Sequence, residues 1–118
     1  MAVNLLSNVS LPIVMVGDDL RIRRFTPLAE SLLNFRAADI GRRLAEIRPN
    51  LVGVDLDGIV HNTIESGLPQ EREVQGQRDR YLMRIRPYKT WNNKIEGAVI
   101  TFLDIDAIRL TLAETRRQ

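Results

Sequence analysis

Apolar and polar positions change period several times along this chain, and each change marks an element. Met1 to Ser10 places Leu5, Leu6 and Val9 on one face of a helical turn or two, a short amphipathic lead-in. Leu11 to Val16 is a short β-branched run closed by Gly17-Asp18-Asp19, which predicts a strand and a turn. From Leu20 to Phe25 the period is two, with Leu20, Ile22 and Arg24 on one side and Arg21, Arg23 and Phe25 on the other, so a hairpin partner follows. Thr26-Pro27 then opens a short helix through Leu33, because threonine suits the N-cap and the first helical position does not need the N–H that proline lacks. Asn34 to Asn50 breaks into short helical pieces around Ala37-Ala38 and Leu44 to Ile47, ended by Arg48-Pro49-Asn50. A better helix spans Leu56 to Ser66, capped by Asp55 and stopped by Gly67.

After Pro69 the period returns to two. Glu71, Glu73 and Gln75 alternate with Arg72 and Val74, a strand with one strongly polar face that suits a sheet edge. Tyr81, Met83 and Ile85 alternate with Leu82, Arg84 and Arg86 as far as Pro87, and Tyr88 to Lys94 reads as a loop carrying Trp91-Asn92-Asn93. Ile95 to Leu103 is apolar on both faces, the pattern of a central strand. From Asp104 to Gln118, Ile105, Ile108, Leu112 and Thr115 follow a spacing of three, four and three, the seam of a heptad connector helix. Helices grouped between antiparallel hairpins predict an α+β fold with one five-stranded sheet and short helices over one face. The expected division is a lead-in at 1–10, a domain at 11–104 and a connector at 105–118.

Composition narrows the chemistry. The 118 residues, 44% hydrophobic and 27% charged, suit one compact domain. The chain has no cysteine, which excludes disulfide scaffolds, thiolate metal sites, cysteine nucleophiles and flavin–cysteinyl adducts, and it agrees with a reducing cytoplasm. Seventeen basic against fifteen acidic residues leave a net charge of +2, too little to imply a nucleic-acid partner. Leu11 to Val16 contains Pro12 and falls far short of the roughly 20 residues of a membrane span. No basic leader precedes it, so neither a membrane segment nor a signal peptide is expected.

Several strings carry a family resemblance: Pro12-Ile13-Val14-Met15-Val16 before Asp18-Asp19, Phe25-Thr26-Pro27-Leu28-Ala29, Asp39-Ile40-Gly41-Arg42, and Gly97 to Phe102 leading into Asp104-Ile105-Asp106. From Ser10 to about Asp106 the chain resembles a PAS domain. The longer strings Leu20 to Pro27, Glu71-Arg72-Glu73-Val74 and Tyr81 to Tyr88 resemble the PAS segment of bacterial chemotaxis-type fusions of a methylesterase and a methyltransferase. Two departures stand out: Asp106 stands where the exit motif usually carries threonine, and Trp91-Asn92-Asn93 sits in a loop not expected to match the family. The resemblance implies a sheet enclosing a small pocket, a noncatalytic sensory module, and a place inside a longer signalling protein. Any methyltransferase, methylesterase or kinase activity would belong to that parent.

Inward positions expected to line the pocket are Val14, Val16, Leu32, Leu44, Ile47, Val60, Ile64, Met83, Ile85, Val99 and Thr101, with Tyr81 and Thr101 as polar anchors. So apolar a lining either packs shut as core or holds a small apolar ligand. His61, the only histidine, lies where one branch of the resembled family places a haem ligand. The helical wheel sets it between Asp57 and Glu65, opposite Leu56, Ile59, Val60, Thr63 and Ile64, so a solvated histidine is expected rather than haem or a metal. No phosphate-cradling glycine loop or nucleophile signature occurs, and neither haem nor noncovalent flavin is expected. Arg21, Arg23, Arg84 and Arg86 suggest a basic stripe on the sheet, matched by Glu71 and Glu73 or open to a partner. Asp104, with Ile105 and Asp106, is the expected coupling point, where a carboxylate meets the start of the departing helix. A homodimer with flanking signalling domains is the expected setting. The alternative is a purely structural dimerisation module with a filled core.

Overall fold

The computed structural model describes residues 11–106. The lead-in at 1–10 and the seam positions Ile108, Leu112 and Thr115 lie outside the described residues. Five strands form one antiparallel sheet: β1 (Ile13–Gly17), β2 (Ile22–Phe25), β3 (Gln70–Gln75), β4 (Arg80–Lys89) and β5 (Ile95–Asp104), in the order β2-β1-β5-β4-β3. The doubly apolar run is therefore the middle strand, and the Glu-rich run is an edge. Helices α1 (Pro27–Leu33) and α2 (Leu56–Ser66), with 3₁₀ turns at Ala37–Asp39 and Leu44–Glu46, connect the two hairpins.

Local chemistry sets the helix ends. The Asp55 carboxylate accepts from the Gly58 N–H at 3.1 Å, and Gly67 adopts φ 70°, which ends α2 without strain. Thr26 holds the N-cap position of α1, but its hydroxyl does different work from the capping expected of it. It donates to the Leu11 carbonyl at 2.5 Å and accepts from the Ile13 N–H at 2.9 Å, fixing the first residues of β1 to the start of α1. The intervening loop clamps β2 by its backbone, since Ile22 N–H donates to Arg42 and Gly41 N–H donates to Ile22. Asp39 organises that loop through the Arg36 N–H and the Arg42 guanidinium, at 2.8 and 2.9 Å.

The strands differ from the sequence reading at several points, β1 running over Ile13–Gly17 and β5 ending at Asp104. β2 begins at Ile22 rather than Leu20, because Leu20 sits at φ 64° in the turn. A bulge between Met15 and Val16 then lets Arg24 pair with Met15 and Phe25 with Val14, so Phe25 shares the face of Val14 and not that of Arg23. β4 continues through Pro87 to Lys89. Its pairing with β3 starts at Ile85, so beyond that residue β4 has β5 alone as neighbour, and a proline is tolerated on the free side.

The core lies between the sheet's inner face and the helical connection. Val14, Ile22, Leu33, Val60, Met83, Ile85, Ile100 and Phe102 are fully buried in one cluster. β1 and β5 approach closely at Gly97, where an added Cβ would lie 2.0 Å from the Val16 carbonyl oxygen. Only glycine fits there.

Candidate functional site

Most residues expected inward do face the interior. Val14, Val16, Leu44, Val60, Met83 and Ile85 are buried in the core cluster, while Leu32, Ile47, Ile64 and Tyr81 are half-buried against it. Val99 and Thr101 are on the other face. Pairing of Met83 with Phe102 and Ile85 with Ile100 turns Ala98, Ile100 and Phe102 inward, leaving Val99 opposite Met15 and Arg86, and Thr101 opposite Ile13 and Arg84. A strand apolar on both faces hides its parity, but matching Met83 and Ile85 to the largest side chain of β5, Phe102, would have revealed it.

A cleft of about 370 Å³ opens beside this core, at the end of the sheet where β1 begins and β5 finishes. Its walls are Leu11 and Pro12 before β1, Leu28, Ser31 and Leu32 on α1, Gln77-Arg78-Asp79 in the β3–β4 turn, and Tyr81, Phe102 and Asp104 on the sheet. Only Leu32 and Tyr81 of the expected lining, and Asp104 of the expected coupling residues, take part. The turn and pre-strand residues carry no periodic signal, so pattern alone could not nominate them. Leu11 and Leu28 are large apolar side chains left exposed at its mouth. The size falls within the roughly 300–1,000 Å³ common for small-molecule sites, and apolar walls with a few polar groups are the usual composition of such sites.

The polar groups converge on Tyr81. It stands opposite Asp104 across the β4–β5 pairing and packs edge-on to Phe102, with ring centroids 6.4 Å apart. Burial, then the negative charges of Asp79 and Asp104, push the Tyr81 hydroxyl pKa above its ordinary value, so the phenol stays a neutral donor. Asp104 closes β5, and Ile105 and Asp106 continue directly in helical conformation, Ile105 buried and Asp106 exposed. One half-buried carboxylate thus belongs both to the cleft wall and to the start of the departing segment.

The other candidates fall elsewhere. His61 is exposed on α2, 3.9 Å from Glu65. Among the described residues no group of three His, Asp or Glu side chains is placed to hold a metal ion, and no helix is long and apolar enough to cross a membrane. The arginines do not form a stripe, because β1 and β5 separate β2 from β4. Arg21 and Arg23 turn to Asp19, whereas Arg84 pairs with Glu71 and Arg80 with Glu73 across β3 and β4. Exposed pairs of this kind contribute about 0–1 kcal/mol each.

Five antiparallel strands in this order, covered on one face by short helices, make a small α+β domain. The chain belongs to the PAS domain family, whose model matches residues 3–106. It is 33% identical over 102 residues to an uncharacterized 104.1 kDa protein in the hypE 3′ region of Rhodobacter capsulatus, covering 86% of this chain but 11% of that protein. The chain thus spans only a small part of that curated relative. The PAS domain of histidine kinase ThkA superposes with a TM-score of 0.69 at 20% identity, covering 80% of this chain and 99% of that one. The same kinase in complex with response regulator protein TrrA gives 0.72 at 21% identity, covering 99% of this chain and 35% of that one.

Proposed function

We propose that this domain is a noncatalytic sensory module that passes the state of its cleft to the segment after β5. The observation that carries this reading is the double position of Asp104, on the cleft wall and directly before Ile105 and Asp106, where the chain leaves the sheet. A small apolar ligand against Leu28, Leu32 and Phe102 would displace water from Tyr81 and Asp104 and alter the hydrogen bonding of the carboxylate. Ile105, Ile108, Leu112 and Thr115 would then carry the change along a heptad seam into flanking signalling domains, most simply in a cytoplasmic homodimer.

The strings shared with chemotaxis-type methylesterase/methyltransferase fusions suggest such a parent, and the small share of the Rhodobacter capsulatus protein that this chain matches fits a domain within a much longer signalling protein. Replacing Asp104 with alanine in the parent is the test. Output becomes independent of stimulus in a chain that native mass spectrometry shows still takes up ligand; output that still follows the stimulus would refute the relay.

A second reading, a structural dimerisation module without ligand, draws on the tightly packed inner positions Val14, Val60, Met83 and Ile85. Native mass spectrometry separates the two readings. A small molecule carried through purification favours sensing, and a ligand-free dimer favours assembly.

A further inference from the structure

The loop Trp91-Asn92-Asn93 forms a defined tip. Thr90 N–H and its hydroxyl both donate to the Lys94 carbonyl, Asn93 N–H donates to Thr90, and Asn93 takes φ 65°, so the β4–β5 hairpin closes tightly. The tip holds Trp91 out in solvent at 97% exposure, flanked by exposed Lys89 and Lys94. Trp91 is the most exposed large hydrophobic side chain among the described residues, and tryptophan, with tyrosine and arginine, is enriched at interface hot spots.

The complement of this tip lies at the opposite end of the same molecule. The cleft, about 370 Å³, has apolar walls at Leu28, Leu32 and Phe102, exposed Leu11 and Leu28 among its lining, and the carboxylates of Asp79 and Asp104 beside them. Arg78 in the same lining offers a planar guanidinium to an aromatic face. β5 runs the whole distance between the two, ten residues or roughly 30 Å at about 3.3 Å each, so tip and cleft of one copy cannot meet.

We propose that Trp91 of one copy inserts into the cleft of a second copy, with Lys89 and Lys94 facing Asp79 and Asp104. Because tip and cleft lie at opposite ends of the molecule, two antiparallel copies make the contact reciprocally, each tip in the other's cleft, as a twofold pair. An anionic membrane is a poorer match for the tip, because one indole and two lysines provide marginal attachment. Any effect on output rests on the reading of the cleft as the input site; the contact itself does not, and its test needs no output.

Trp91 is the only tryptophan, so its fluorescence reports the contact directly. In a dilution series of the purified chain, the emission maximum moves to the blue as concentration rises, and the weight-average mass from sedimentation rises in parallel. Asp79→Lys or Lys94→Glu alone lowers the association constant roughly tenfold, and the double charge-swap variant recovers most of it. Trp91→Ala removes the part of the mass that rises in parallel with the blue shift, leaving only association through other surfaces. Emission that remains that of a solvated indole at every concentration, or association unchanged by Trp91→Ala, overturns the proposal, as does a blue shift seen only with anionic vesicles.

Discussion

The backbone N–H of Phe102 donates to the carbonyl of Pro12 at 3.0 Å, joining the residue just before β1 to the last residues of the strand by which the chain leaves the sheet. Both residues also line the cleft. The entry to the described domain, the end of β5 and the cleft wall therefore meet within a few residues.

Thr26 bolts the start of β1 to α1 through two backbone partners while fully buried. Thr26→Val keeps the shape and leaves the Ile13 N–H and Leu11 carbonyl without their partner. Urea unfolding is expected to show a loss of about 1–3 kcal/mol, with Thr26→Ser recovering most of it.

Gly97 lets the backbones of β1 and β5 approach closely. A methyl group there meets the Val16 carbonyl, so Gly97→Ala lowers stability by about 2 kcal/mol or more, read as a lower melting temperature. A variant as stable as wild type would mean that the two strands part easily.

The parity of β5 is open to the same kind of measurement. Ile100→Ala empties a fully buried site and costs about 2–5 kcal/mol. Thr101→Ala, one residue on and on the opposite face, stays within about 0.5 kcal/mol of wild type.

The Tyr81 phenol titrates above its usual value because of burial and the nearby Asp79 and Asp104 charges. Ionisation is disfavoured in the folded state, so this contribution to stability is fully present below the unfolded phenol pKa near 10 and is lost as pH rises through the folded one. Phenolate absorbance should therefore appear at higher pH in the folded chain than in urea, and Asp79→Asn should bring the two curves closer. Asp39 behaves in the opposite sense. The Arg36 N–H, then Arg42, hold its carboxyl below the usual range against the effect of burial, so its contribution is present above the unfolded carboxyl pKa and is lost as pH falls through the folded one.

The fold was legible because it is written in period and punctuation: the extent of α2, its Asp55 cap and its Gly67 stop follow from residues local to it. The inner face of β4 was equally plain, since Arg84 and Arg86 mark the outside. β5 offers no such polar marker, and so Val99 and Thr101 fell on the wrong side. The candidate site was less legible for a different reason. Leu11, Leu28, Arg78 and Asp79 come from segments distant in sequence, and only the folded sheet gathers them around Tyr81 and Asp104.

Amide hydrogen exchange over residues 103–118 tests the central claim most directly, in the wild-type chain, in Ser31→Trp, which fills the cleft from its α1 wall, and in Ser31→Trp combined with Asp104→Ala. We predict that filling the cleft changes the protection of the departing segment and that removing the Asp104 carboxylate abolishes the change. Equal exchange in all three chains, with each shown to be folded, would contradict the relay.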